Sequence, residues 1–207
     1  MSDTRLYLIT PSSFELSEFA NTLSEALDGG DVASVQLRMK ESTDEDIIAA
    51  AKVLMPICHA KDVAFIINDR ADITKEIGAD GVHIGQEDIT LKEAREIVGE
   101  NMIIGVTCKD SKHLSMTAGE QGADYVAFGA FYPTTTKLIT TEASPDILRW
   151  WQDLFEIPCV AIGGINANNA GTIANSGADF VAICSGVWDH PEGPKEAVAA
   201  INKAITS

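Results

Sequence analysis

The chain has 207 residues, enough for one domain with a sizeable core. Its formal net charge of −16 disfavours nucleic acid and anionic membranes as partners. No apolar run reaches membrane-spanning length, and Met1-Ser2-Asp3-Thr4-Arg5 lacks the charged-then-apolar layout of a signal peptide, so a soluble, cytoplasmic protein is expected.

Short apolar runs alternate with longer amphipathic ones. Residues 6–9 read as a strand and 14–27 as a helix. The pair recurs at 32–37 and 44–60, where Ser42 or Thr43 is the expected N-cap. It continues at 63–67 and 71–77, 81–84 and 91–98, and 102–106 and 112–121. The last three pairs are 125–128 and 145–155, 159–162 and 168–176, and 180–184 and 195–205. Gly78-Ala79-Asp80, Gly122-Ala123-Asp124 and Gly177-Ala178-Asp179 each stand between a helical and an apolar run. Glycine suits the left-handed residue that ends a helix, so one helix-to-strand turn is used three times. Gly30-Asp31-Val32-Ala33 and Lys61-Asp62-Val63-Ala64 are looser versions. Strand–helix alternation implies parallel strands with right-handed crossovers, and eight such units fit a closed (β/α)8 TIM barrel spanning 1–207 as a single α/β domain.

In such a barrel chemistry sits at the carboxyl ends of the strands. Here those ends read Thr10, 36–40, Asn68-Asp69, 86–88, Thr107, 134–137, Gly163-Gly164 and Ser185-Gly186, nearly all polar or glycine. Gln36, Arg38 and Lys40 alternate with Leu37 and Met39, so the polar three share one face. A guanidinium fork and an ammonium suit a phosphate or diphosphate; an ion-pair network with Asp69 or Glu41 is the alternative. Asp69 and Asp88 end successive strands and could share one Mg²⁺, which takes one or two carboxylates and bridges to substrate phosphates. The alternative pairs Asp69 with Arg70 and makes Asp88 the cap of the helix near Thr90. Residues 129–137 open a long loop after the sixth strand, in which the hydroxyls of Thr134, Thr135 and Thr136 and the Lys137 ammonium could grip a phosphate, or which is only a threonine-rich loop. Gly163-Gly164 and Ser185-Gly186 follow strands seven and eight, a usual phosphate site of this fold, or else simply form tight turns.

Cys58, Cys108, Cys159 and Cys184 show no Cys-x-x-Cys spacing and read as reduced thiols. His83, near the rim, reads as a hydrogen-bonded structural residue rather than a base. Trp150-Trp151 reads as core packing, with room for a homo-oligomer contact through one ring.

Six motifs in order give the chain a resemblance to the thiamine phosphate synthase family, also called thiamine-phosphate pyrophosphorylase. They are Gln-Leu-Arg-x-Lys (36–40), Asn-Asp-Arg (68–70), Gly-Val-His-x-Gly-Gln-x-Asp (81–88), Pro-Thr-x-Thr-Lys (133–137), Ile-Gly-Gly-Ile (162–165) and Ser185. The resemblance spans nearly the whole chain. It implies a pyrimidine diphosphate held by Gln36, Arg38, Lys40, Asn68, Thr107 and Lys137, with Arg38, Lys40 and Lys137 as catalytic cations. It implies Mg²⁺ on Asp69 and Asp88, and a thiazole phosphate on Thr134, Thr135, Thr136, Gly164, Cys184 and Ser185. The reaction it implies joins the pyrimidine methylene to the thiazole nitrogen and releases pyrophosphate. Serine is common in the family where Thr107 stands, histidine where Lys109 stands, and glycine-proline where Gly129-Ala130 stands. Two rivals remain at this level: an isomerase of the same fold, resembling thiazole tautomerases, and a non-catalytic barrel that binds a thiamine precursor.

Overall fold

The computed structural model describes residues 4–133 and 143–207. Eight parallel strands close a barrel in chain order: β1 (Arg5–Ile9), β2 (Val32–Leu37), β3 (Ala64–Asn68), β4 (Gly81–Ile84), β5 (Ile103–Lys109), β6 (Tyr125–Gly129), β7 (Cys159–Ile162) and β8 (Phe180–Ile183). β8 pairs back onto β1, with Tyr7 opposite Ala182, so no edge strand is left open. The outer helices are α1 (Leu16–Leu27), α2 (Asp44–His59), α3 (Ala71–Ile77), α4 (Leu91–Val98), α5 (Lys112–Glu120), α6 (Asp146–Leu154), α7 (Ala170–Ala174), α8 (Ser185–Trp188) and α9 (Pro194–Ile205). None of the described helices is long and apolar enough to cross a membrane.

Period-two alternation sorts each strand into two faces. Leu6, Leu8, Val35, Phe65, Val82, Ile104, Val126 and Val181 pack outward against the helices in one large core. Tyr7, Ile9, Tyr125, Ala127, Val160 and Ala182 form a second, smaller cluster inside the barrel. Trp151 is fully buried and donates from its indole nitrogen to the Ile157 carbonyl at 2.7 Å, whereas Trp150 is half-buried with the Lys112 ammonium 4.4 Å from its ring centroid.

The Gly-Ala-Asp repeat has a second use that its turn geometry does not reveal. Gly78, Gly122 and Gly177 take positive φ values of 67°, 87° and 101°, as the turn requires. Each following aspartate then reaches back to the start of the preceding strand. Asp80 accepts from the Phe65 amide at 2.6 Å, Asp124 from Ile104 at 2.8 Å and Asp179 from Cys159 at 2.8 Å. The looser turn at Asp31 instead pairs with the Arg5 side chain at 2.7 Å. Asp124 is also an acceptor for Arg95 at 2.7 Å, and Arg95 donates to the Met102 carbonyl at 2.6 Å. Asp124→Ala leaves the Ile104 amide without its side-chain acceptor and removes the carboxylate on the Arg95 guanidinium, which keeps its bonds to backbone carbonyls. It is expected to lower the unfolding free energy by about 1–3 kcal/mol in a urea titration. Asp31→Ala, whose partner is exposed, is expected to cost about 1 kcal/mol or less. Equal losses at the two positions would show that the strand amide contributes nothing.

Two features depart from the periodicity. β5 continues past residue 106 to Lys109, through a register shift against β6 between Thr107 and Lys109. Helix α8 follows β8 directly; its four residues are too short for an amphipathic repeat to register, and the Trp188 indole ties it to β1 by donating to the Ile9 carbonyl at 2.6 Å.

Candidate active site

The carboxyl ends of the strands surround a cavity of about 400 Å³. Gln36, Arg38, Lys40, Asn68, Asp69, Asp88 and Thr107 all line it. Gln36 is the buried, inward residue near the end of β2, and Arg38 and Lys40 follow where the strand has ended. Thr10 secures that exit: its hydroxyl accepts from the Arg38 amide at 3.0 Å, and its amide donates to the Gln36 carbonyl at 3.0 Å. On the far wall Val160, Ile162 and Ala182 are apolar. The cavity is therefore charged on the β2–β5 side and greasy on the β7–β8 side.

Asp69 has φ of 64°, a left-handed conformation that aspartate adopts more readily than most residues. Its amide donates to the His83 carbonyl at 2.8 Å, which ties the end of β3 to β4. The Asp69 carboxylate meets the Lys40 ammonium at 2.8 Å. Arg70 takes no part; its guanidinium forks onto Asp44 and onto Asp72. Asp88 does not cap the next helix, because Thr90 is the N-cap and forms a reciprocal box with Glu93. Asp88 instead accepts from the Gly85 amide at 2.7 Å and turns back toward Asp69. Burial pushes the Asp69 carboxyl above the usual carboxylate range, helped by Asp88 and opposed by Lys40. Two adjoining carboxylates with only oxygen donors fit a hard divalent cation. Among the described residues no group of three or more His, Cys, Asp and Glu side chains could hold a metal, so further ligands would come from water or substrate. Arg38 and Lys109, the other cations lining the cavity, have no ion-pair partner among the described residues.

Beneath the charged rim lies a buried polar chain. Gln36 Nε2 donates to Tyr7 Oη at 2.9 Å, and the Tyr7 and Tyr125 hydroxyls lie 2.9 Å apart. Tyr125 Oη is 2.9 Å from His83 Nδ1, and His83 Nε2 is 2.8 Å from Thr107 Oγ1. Burial pushes the Tyr7 phenol up to about 12 and the Tyr125 phenol well above its ordinary value, so both keep their protons.

The loops after β7 and β8 lie beside this cavity. Gly163 and Gly164 have φ of 103° and 64°. Added methyl groups there would fall 2.2 Å from Ala130 and 2.5 Å from the Pro133 carbonyl. Both glycines thus admit the chain that leaves β6, and Phe131 and Tyr132 donate amides to the Ile162 and Gly163 carbonyls. Cys184 precedes α8 and lies near enough to Arg38 to feel its charge, although burial lifts its thiol to about 11. Ser185 is the first residue of α8. Gly164, Cys184 and Ser185 do not line the cavity that holds the other residues. Thr134, Thr135, Thr136 and Lys137 fall outside the described residues.

A profile of the family described as thiamine monophosphate synthase matches residues 6–187. The thiamine-phosphate synthase of Rhodospirillum centenum is 58% identical over 205 residues, covering 99% of each chain. That of Hyphomonas neptunium is 49% identical, covering 99% of this chain and 95% of its own. The chain belongs to the thiamine monophosphate synthase family. Its fold superimposes on the thiamine phosphate pyrophosphorylase of Pyrococcus furiosus with a TM-score of 0.85 and 32% identity, over 99% of this chain and 96% of that one. Five of the six motifs that carried the resemblance thus fall on described residues of a barrel of the family's own kind, and the sixth lies outside them beyond Pro133.

Tyr7 and Tyr125 escaped sequence reasoning, and so did the partner of Gln86, which was read only as one of the polar strand ends at 86–88. Each tyrosine reads as one more apolar letter in a strand. The available signal was period two, which sets Tyr7 on the opposite face from Leu6 and Leu8, and Tyr125 opposite Val126 and Phe128. Gln86 donates to the Thr107 carbonyl at 2.6 Å across two strands, a pairing with no local trace in the sequence.

Proposed function

We propose that this chain is a thiamine-phosphate synthase. It joins 4-amino-2-methyl-5-pyrimidinylmethyl diphosphate to 4-methyl-5-(2-phosphoethyl)thiazole, or its carboxylated form, giving thiamine phosphate and pyrophosphate. The observation that carries the reading is the convergence of Arg38, Lys40, Asn68, Asp69, Asp88 and Thr107 on one cavity in a chain of this family. The diphosphate lies on the charged side, against Arg38, Lys40, Asn68 and Thr107, with Lys137 joining from the β6 loop. The pyrimidine ring lies toward Val160 and Ala182, where a flat ring displaces the least tightly held water. The thiazole phosphate is held by Gly164, Cys184 and Ser185 together with Thr134, Thr135 and Thr136.

In the reaction the methylene carbon–oxygen bond breaks and the oxygen leaves with the electron pair as pyrophosphate. The thiazole nitrogen supplies the pair for the new carbon–nitrogen bond. That nitrogen carries no proton, so the site needs no general base. What it needs is positive charge where the leaving oxygens gain negative charge, and Arg38 and Lys40 provide it. Mg²⁺ fits the Asp69–Asp88 pair and, when bound there, would neutralise further charge on the diphosphate. The apolar wall of Val160, Ile162 and Ala182 keeps water from the methylene as cationic character develops.

Incubation of the purified chain with both precursors and Mg²⁺ is expected to release one pyrophosphate per thiamine phosphate formed. Product formation without pyrophosphate, or no product at all, would overturn the assignment. Ser185→Ala is expected to weaken thiazole phosphate binding by about 1.5–3 kcal/mol while leaving the pyrimidine diphosphate nearly unaffected, as titration with each substrate would measure. Equal weakening of both would mean that the two anion sites are not separate.

A further inference from the structure

We infer that Tyr7, Tyr125 and His83 are positioning residues whose hydrogen bonds fix the Thr107 hydroxyl as a donor aimed at an anionic oxygen in the cavity. The inference rests on the preceding reading in one respect, that this anion is the pyrimidine diphosphate.

Each hydroxyl oxygen can accept twice, so the distances let the chain run either way, and an acceptor-only oxygen against Thr107 selects the direction that starts at Gln36. The Gln36 amide nitrogen carries only hydrogens, so at 2.9 Å it donates to the Tyr7 oxygen. In that direction the one hydroxyl proton of Tyr7 goes to the Tyr125 oxygen at 2.9 Å. Tyr125 then places its own proton on His83 Nδ1 at 2.9 Å. A neutral imidazole that accepts at Nδ1 carries its proton on Nε2, which donates to Thr107 Oγ1 at 2.8 Å. The Thr107 hydroxyl proton must point elsewhere, and Thr107 lines the cavity. The high phenol pKa directions at Tyr7 and Tyr125 agree with two protonated hydroxyls in the chain.

Two further features hold the geometry. Gln86 fixes the Thr107 backbone through its carbonyl at 2.6 Å. Gly105 makes room for the Tyr125 ring, since a methyl group there would lie 1.9 Å from a ring carbon. A freely rotating threonine hydroxyl can donate or accept; one wired as a donor prefers an acceptor-only group such as a diphosphate oxygen. Its benefit grows as negative charge builds on the leaving group, so the chain serves the transition state more than the bound substrate.

The first test needs no ligand. Long-range proton–nitrogen correlation spectra of the intact protein, assigned with a His83→Gln variant, are expected to show His83 as the Nε2–H tautomer. The Nδ1–H tautomer would mean that the chain runs the other way and would overturn the inference. In Tyr125→Phe the preference for Nε2–H is expected to weaken, and an unchanged tautomer would show that Tyr125 does not set it.

The second test is a mutant cycle read in kcat at saturating substrates and in pyrimidine diphosphate affinity. His83→Leu and Thr107→Val are each expected to lower kcat about tenfold or more, equivalent to about 1.4 kcal/mol, with a smaller change in KM. His83→Gln, which keeps an N–H near the Nε2 position, is expected to restore much of the rate. The double variant His83→Leu/Thr107→Val is expected to be no worse than the poorer single one, because both act through one hydroxyl. Additive losses would give His83 a merely structural role and overturn the inference. If Thr107→Val changes neither constant while the Nε2–H tautomer is present, the hydroxyl is wired but does not touch the diphosphate. That result would overturn the inference through its substrate assignment and not through the chain.

Discussion

Asp69→Ala, or excess chelator added to the unaltered chain, is expected to lower turnover at least about a hundredfold. That factor corresponds to about 3 kcal/mol of lost stabilisation on the departing pyrophosphate. Asp69 and Asp88 face each other at the lip of the cavity, and Lys40 alone does not offset two carboxylates there. Steady-state pyrophosphate release, with far-ultraviolet circular dichroism to verify the fold, is the measurement. Undiminished turnover in excess chelator would sink the metal assignment.

The same residue carries a stability signature of opposite sign. Burial, with help from Asp88, raises the Asp69 pKa in the folded state. A group with a raised folded pKa contributes stability that is present below its unfolded pKa and lost as pH rises through the folded one. At neutral pH the metal-free protein therefore holds an ionised carboxylate in a place that disfavours it. Asp69→Asn is expected to raise the thermal midpoint of the metal-free protein while abolishing activity. A lowered midpoint would mean that the Lys40 ion pair outweighs burial and the neighbouring charge.

Lys40→Ala is expected to lower the maximal rate at least about tenfold, or about 1.4 kcal/mol in barrier height, while pyrimidine diphosphate binding changes less. Lys40 stands two residues beyond Arg38 at the end of β2, already oriented by Asp69 at 2.8 Å. A cation placed at the leaving oxygens gains most when their charge peaks, so its loss appears mainly in turnover. The ion pair sharpens the expectation: were Asp69 to hold a divalent cation, the Lys40 ammonium would be free to turn toward the diphosphate. Single-turnover kinetics at saturating thiazole phosphate, beside direct binding of the pyrimidine diphosphate, separates the two effects. If binding collapses while the saturated rate holds, Lys40 is only a clamp on the bound substrate.

The barrel was legible because its signals are local. An apolar strand, an amphipathic helix and a Gly-Ala-Asp turn each occupy a few consecutive residues, and eight repetitions leave little choice of topology. Most of the rim was legible for a related reason. Gln36, Arg38, Lys40, Asn68, Asp69, Asp88 and Thr107 stand at or just beyond strand ends, and closing a parallel barrel sends every strand's carboxyl end to one side.

What the sequence did not determine was who meets whom. Lys40 could have paired with Glu41 as well as Asp69, and Arg70 turned away to Asp44 and Asp72 once α2 and α3 packed side by side. The register shift between Thr107 and Lys109 shows itself only where β5 pairs with β6, and no residue pattern within β5 announces it. The proton-bearing chain inside the barrel joins Tyr7 and Tyr125, which are 118 positions apart. Each is an ordinary strand residue until closure turns both rings inward. Burial then removes water, and every hydroxyl must find its partner within the protein.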